Sequence, residues 1–278
     1  MRALLRLILG VAMLAGSMNR CRAADEPPYM LGAVRSADGS LFAVDRTLPG
    51  VWLSKDGKLS EFFHGSKKFR TPLNAARCIA FDRDGKVLVG DSSTREVYRF
   101  NEPGQPSPLT KGGIGIPMAI AVDAEGTLFV ADLELHRIFK VPAAGGDAKE
   151  FVAISAPRGV AFDAEGNLIV LSTTKDQIHK VTKDGKISLV TADRPFNFPH
   201  NVVVAGDGNY YVTDGYEKCV WKVTPDGKPV KFVESKEFMN PVGLSVSGDK
   251  LLITDPRANA VFECDLMGKL TKLELGKK

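Results

Sequence analysis

DGSLFAVD (38–45), DGKVLVGD (84–91), EGTLFVAD (125–132), EGNLIVLS (165–172), DGNYYVTD (207–214) and SGDKLLITD (247–255) are six copies of one phrase. Each is a turn centred on glycine, then an apolar run, then a closing Asp or Ser. The glycines, Gly39, Gly85, Gly126, Gly166, Gly208 and Gly248, stand 46, 41, 40, 42 and 40 residues apart. A near-constant period of this length marks a repeat architecture, in which one supersecondary unit cannot bury its apolar surface alone and is copied until neighbours cover it.

Each repeat holds four strand-like segments. In the third copy they are MAIAVD (118–123), TLFVAD (127–132), HRIFKV (136–141) and AKEFV (148–152), joined by short turns such as Ala124-Glu125-Gly126. The fourth copy reads RGVAFD, NLIVLS, QIHKV and KISLV, and the fifth HNVVVA, NYYVTD, CVWKV and VKFV. Short connections between alternating segments predict antiparallel meanders. The first two segments are apolar at nearly every position, so both faces of each sheet must be covered. The last segment instead alternates, as in LSEFF (59–63) and LTKLEL (270–275), which suits a wetter rim. Four-stranded sheets covered on both faces and repeated six times pack blade on blade around an axis. The expected fold is all-β, a six-bladed β-propeller, with blades near 31–63, 77–110, 118–152, 158–191, 200–233 and 242–275. Both terminal blades carry four segments, so closure is expected from face packing, unless residues 25–30 add to the last blade.

The first 23 residues read as a signal peptide. Arg2 and Arg6 precede the apolar run Leu7–Gly16, and Cys21-Arg22-Ala23 is a small-x-small cleavage pattern. The apolar run is too short for a transmembrane anchor. The expectation is export to the periplasm or outside the cell, with residues 24–278 as one propeller domain and a monomer. Without the leader, Lys+Arg falls from 37 to 33, equal to the 33 Asp+Glu, so nothing in the charge points to nucleic acid. Three cysteines then remain, Cys78, Cys219 and Cys264, with no zinc spacing, and are read as buried thiols. A Cys219–Cys264 bridge between equivalent parts of adjacent repeats stays open.

The recurring Asp45, Asp91, Asp132, Asp214 and Asp255 invite a metal or acid–base reading. A carboxylate that closes a strand before a tight loop also binds the amides of that loop. Recurrence in every blade but one, where Ser172 stands in, favours this structural role. Pro117, Pro157, Pro199 and Pro241 similarly stiffen the entry to the innermost strand.

The pattern P-x-G-V-A-F-D-x-x-G-N-L-x-V from Pro157 to Val170 resembles the NHL repeat, as does ADLELHRIFKV (131–141). The likeness extends over residues 30–275. YVTD (211–214) is similar to blades of the low-density-lipoprotein-receptor type. WD40 repeats are disfavoured, because neither Trp52 nor Trp221 lies in a Trp-Asp ending, and kelch double glycines are absent. The wider group includes the gluconolactonase/senescence-marker-protein family and the peptidylglycine-amidating lyases. A shared fold does not by itself transfer an activity.

In such a fold the position that opens each innermost strand rings the mouth of the central channel. Across the blades it reads Leu31, Arg77, Met118, Arg158, His200 and Val242. The gluconolactonase resemblance would imply Glu, Asn and Asp here around a divalent metal, and the lyase resemblance several His around zinc. This chain offers neither set, so no metal and no cofactor are predicted; calcium or zinc belongs only to an enzymatic alternative. Arg77, Arg158 and His200, with Asn201 beside them, instead predict binding of a small anion or an acidic group of a protein or peptide partner. Arg46, Tyr216, Glu217, Arg257, Phe196 and Phe198 are further candidates from nearby loops. Two alternatives stay open. Arg77 and Arg158 could pair with the strand-end aspartates and plug the channel, or His200 could serve as general base in a lactone hydrolase or lyase, an arginine holding the developing charge. His64, His136 and His179 are expected to be surface or structural groups.

Overall fold

A computed structural model describes residues 28–276, apart from 48, 49, 69 and 192. The expected leader lies outside the described residues. Among them every regular element is a β-strand. The first blade is β1 (Met30–Arg35), β2 (Leu41–Asp45), β3 (Gly50–Lys55) and β4 (Lys58–His64). The second is β5 (Ala76–Phe81), β6 (Val87–Asp91), β7 (Glu96–Glu102) and β8 (Gln105–Pro108). The third is β9 (Pro117–Val122), β10 (Leu128–Asp132), β11 (Arg137–Val141) and β12 (Lys149–Ala153). The fourth is β13 (Pro157–Phe162), β14 (Leu168–Ser172), β15 (Ile178–Val181) and β16 (Ile187–Leu189). The fifth is β17 (Pro199–Val204), β18 (Tyr210–Asp214), β19 (Cys219–Val223) and β20 (Pro229–Glu234), and the sixth β21 (Gly243–Ser247), β22 (Lys250–Asp255), β23 (Ala260–Asp265) and β24 (Leu270–Lys272).

Each blade is an antiparallel meander in sequence order, and the innermost strands close a ring in which β1 packs on β5, then β9, β13, β17, β21 and back to β1. The chain is a six-bladed β-propeller. The six glycines that set the period all have positive φ, between 62° and 86°. That is the left-handed region, where a Cβ is penalised and glycine is not. They turn the first strand of each blade into the second, on the face opposite the crossovers. The second strands β6, β10, β14 and β18 are buried at every residue, and the apolar clusters lie between blades.

The strand-end aspartates are fully buried and serve as clamps. The Asp132 carboxylate accepts the amides of Gly115 (2.5 Å) and Ile116 (3.1 Å) in the incoming crossover, and those of Glu134 and Leu135 in the loop that follows. Asp91, Asp214 and Asp255 repeat the arrangement. Asp45 takes the Tyr29 and Thr47 amides and the Trp52 indole N–H (2.8 Å). Ser172 reverses the polarity toward the crossover, donating to the Ser155 carbonyl at 2.7 Å. Two residues that the repeat does not mark extend the device. Buried Glu96 accepts amides across the outgoing crossover, from Leu109 to Gly112, and Gln177 exchanges two hydrogen bonds with the Phe196 backbone.

Closure uses more than face packing. Ser245 and Thr254 of the last blade donate to the Ala33 and Leu31 carbonyls of the first, at 2.7 and 3.1 Å, and Arg35 pairs with Glu263 at 2.5 Å. LTKLEL does not continue as an outer strand either. β24 stops at Lys272, and Leu273 and Leu275 turn onto the cluster around Trp52, where Ser54 donates to the Leu275 carbonyl (2.7 Å). The tail strap satisfies apolar surface that only the neighbour across the seam can cover.

Thr254 Oγ1 also accepts the Gly243 amide at 3.0 Å, so one hydroxyl joins two blades. Thr254→Val keeps the shape and leaves both backbone groups unpaired, an expected loss of about 1–3 kcal/mol. Urea denaturation should show this loss, while Thr271→Val on the exposed last strand should match the parent.

Candidate functional site

The ring positions share a local backbone device. In β1, β5, β9, β13 and β17 the register slips by one residue at the second position, so that Leu31, Arg77, Met118, Arg158 and His200 are each the extra residue of a β-bulge. A bulge breaks the ladder locally and re-aims its side chain. The bulge does not require a carboxylate clamp: it recurs in the fourth blade, which Ser172 closes, and β21 beside Asp255 has none. In the sixth blade Val242 sits just ahead of β21, its amide bonded to the Thr254 carbonyl (2.9 Å).

These side chains line an axial cavity of about 630 Å³ that touches all six innermost strands. Four guanidinium groups line it at the crossover face, Arg77 and Arg158 from the ring and Arg46 and Arg257 from the loops above. Its described lining contains no Asp or Glu. Arg77 Nε donates to Ser92 Oγ at 2.9 Å, and Arg158 Nη1 lies 3.3 Å from His200 Nδ1. Neither arginine is paired with a strand-end aspartate, because those carboxylates are already filled by backbone amides. The plug reading therefore lacks its ion pairs.

Arg158 is held below the usual arginine range, first by burial and then by Arg77. Its guanidinium lies over the Phe198 ring, 5.0 Å from the centroid, and Tyr216 stacks on Phe198 at 4.8 Å and 19°. Arg158 Nε and His200 Nε2 are buried without a hydrogen-bond partner among the described residues. A guanidinium only donates, so His200 Nδ1 accepts and the proton sits on Nε2. Burial, then Arg158, pushes the His200 pKa down to about 4, with Asp214 partly opposing and Arg257 adding to the fall. The imidazole is neutral at physiological pH and its lone pair is engaged by the arginine.

Asn201 also reaches the cavity wall, but both ends of its amide are committed: Nδ2 donates to the Leu244 carbonyl (3.2 Å) and Oδ1 accepts the Val202 amide (2.8 Å). It joins two blades, with one N–H and one lone pair of the amide beyond these bonds. Phe198, Tyr216, Arg46 and Arg257 are at the mouth, whereas Phe196 is buried against Trp221 and Glu217 is turned to Lys231 (3.3 Å). His136 accepts the Ala156 amide, His179 bonds the Asp176 carbonyl, and His64 faces Glu61. Cys78, Cys219 and Cys264 are free and buried, their thiols pushed up to about 12, 12 and 11 chiefly by burial. Among the described residues no three His, Cys, Asp or Glu side chains gather as metal ligands. A mouth of guanidinium groups without a carboxylate does not fit a divalent cation, which takes oxygen ligands.

The model of the family described as the virginiamycin B lyase family matches residues 66–278. Human E3 ubiquitin-protein ligase TRIM32 is 35% identical over 81 residues, which is 29% of this chain and 12% of that protein. Human NHL-repeat-containing protein 4 is 35% identical over 60 residues, 22% of this chain and 49% of that one. The chain thus spans half or less of the curated relatives it matches. Among solved structures, a catalytically inactive histidine-to-alanine variant of virginiamycin B lyase from Staphylococcus aureus, with quinupristin, superposes with a TM-score of 0.68. It is 17% identical, with 90% of this chain and 85% of that chain covered. A gluconolactonase from Xanthomonas campestris gives a TM-score of 0.72 at 16% identity, over 90% and 88% of the two chains. At these identities the structural likeness concerns the fold.

The depressed histidine carries a testable sign. Below its ordinary value of 6.5 the unfolded chain takes up a proton on this imidazole that the folded chain refuses until about 4. Stability from His200 is therefore complete above pH 6.5 and lost as pH falls toward 4, by at most about 3 kcal/mol. Urea midpoints between pH 4 and 7 should fall less steeply for His200→Gln than for the parent.

Proposed function

The chain belongs to the virginiamycin B lyase family, and on that premise we propose that it is a recognition module whose axial mouth holds a small ligand carrying a carboxylate or similar compact anion. The observation that carries this reading is four guanidinium groups at the crossover face of one cavity, with no acidic residue in its described lining. Packing like charges together costs stability, and after burial the nearby Arg77 helps to hold Arg158 below its usual range. An anion between them relieves that repulsion and fills the donors that the protein leaves open. Guanidinium forks match carboxylate geometry, and such charge-assisted bonds are the strong class. The leader-like segment at 1–23 supports a place of work outside the cytoplasm.

A second reading, lyase or lactone-opening chemistry, rests on the family itself and on the likeness to virginiamycin B lyase and gluconolactonase. Here Arg77 or Arg158 would hold developing negative charge. His200 could act as base only after Arg158 leaves its Nδ1, because a base needs a free lone pair.

Calorimetric titration with acetate and with phosphate, against neutral acetamide, tests the first reading. Binding of the anions alone is expected, weakened by added salt and reduced about 10- to 100-fold in Arg77→Ala or Arg158→Ala. Thermal stability should hold or rise in Arg158→Ala, since a buried charge with an unpartnered Nε is removed. Equal binding of acetamide would overturn anion recognition. Incubation with quinupristin and with gluconolactone, followed by mass spectrometry, separates the readings; turnover abolished by Arg158→Ala would install the enzyme.

A further inference from the structure

The cationic residues of the ring itself are not evenly spread, and the remainder of the wall describes the rest of the ligand. Around the ring, in blade order, stand Leu31, Arg77, Met118, Arg158, His200 and Val242. Arg77 and Arg158 thus flank Met118, and an anion bridging them sits to one side, over the second to fourth blades. Across the mouth the sixth and first blades contribute the apolar ring residues Val242 and Leu31, with Arg257 and Arg46 on the loops above them. Beside them rises the fifth-blade stack, with Arg158 under Phe198 and Tyr216 above it.

Tyr216 is the informative member. It is 63% exposed, yet its ring lies parallel to Phe198 with the outer face open. A large exposed aromatic is ordinarily free to wander. This one is held flat at the edge of the cavity whose other occupants are uncompensated cations. Its partner Phe198 is gripped from below by the guanidinium and at its edge by His200, 4.9 Å away. The anion-binding arginine and the exposed platform therefore belong to one stack, so a ligand that engages the first finds the second within the same pocket.

Resting on the anion-recognition reading, we propose that the ligand is an aromatic carboxylate, with its carboxylate on Arg77 and Arg158 and its ring between the Val242–Leu31 arc and the Tyr216 face. A planar ring matches the platform by stacking, and the arc removes its remaining apolar surface from water. A purely inorganic anion satisfies only the arginines and leaves the apolar ring residues Leu31 and Val242 wet. A long flexible chain would gain the burial without the stacking.

The test is a titration of the intact protein with acetate, cyclohexanecarboxylate, benzoate and phenylacetate, repeated on Tyr216→Ala and on Tyr216→Phe. The expected result is tighter binding of the two aromatic acids than of acetate by at least tenfold, with cyclohexanecarboxylate between. Tyr216→Ala should cost the aromatic acids about two- to tenfold and leave acetate unchanged, and Tyr216→Phe should restore them. Tyr216 is exposed, so these variants fold with the parent, which the melting curve checks. Acetate and benzoate binding alike, or Tyr216→Ala leaving the aromatic preference intact, would overturn the aromatic assignment while anion recognition stands. No binding of any acid would remove both.

Discussion

A buried carboxylate at the end of the second strand of a blade is the bond on which this molecule turns. Removing it from water is costly, and the cost is offset because its oxygens collect three or four backbone amides. Half of those amides belong to the chain arriving from the previous blade and half to the loop leaving its own. One side chain therefore fixes the angle between successive sheets, the entry point of the innermost strand and the shape of the loop above it. Where serine replaces the carboxylate, Ser172 holds the incoming crossover through a carbonyl, while Gln177 binds the Phe196 backbone in the outgoing one.

The site takes its geometry from a second device beside that clamp. In five blades, including the one closed by Ser172, the second residue of the innermost strand bulges out of the ladder and becomes a lining group of the channel. The clamp also explains why the mouth stays cationic. The nearest acids are Asp91, Asp214 and their counterparts, but their oxygens are spoken for by amides, so the arginines find only a serine hydroxyl and an imidazole. Electrostatic strain is thereby built into the mouth, held by a fold whose stability lies mostly in apolar faces between blades.

Much of this was legible in the residues. Gly39 and its counterparts announce turns that need positive φ, and they fall at the expected places. The aspartates could be assigned to structure because a role performed in five blades is architectural. The ring was found by asking where otherwise similar copies disagree. Other features carry no local signal. Nothing in the run Arg77-Cys78-Ile79 marks a bulge, since the extra residue is defined by the pairing with β6, a strand later in the chain. Asn201 lines the cavity, as its spacing implies, but its hydrogen bonds to the Val202 amide and the next blade are visible only in three dimensions. The strap formed by Leu273 and Leu275 was hidden by an alternation that suits an outer strand equally well. Phe196 and Phe198, two residues apart, part company because one faces the space between blades and the other the axis.

The bulge separates two kinds of sequence freedom. Elsewhere along an innermost strand a change of side chain is felt by two blades at once, as at Gly159, where an added Cβ would lie 2.6 Å from the Val202 amide nitrogen. At the bulged position the side chain leaves the ladder, and its contacts with a neighbouring blade, such as that of Arg158 with His200, are made by the side-chain tip rather than by the strand. Leu31, Arg77, Met118, Arg158 and His200 differ in size, charge and shape, yet sit on the same backbone irregularity. The scaffold thus works as a socket with interchangeable pins. Selection can rewrite the chemistry of the mouth one blade at a time, and the architecture that presents it need not be renegotiated.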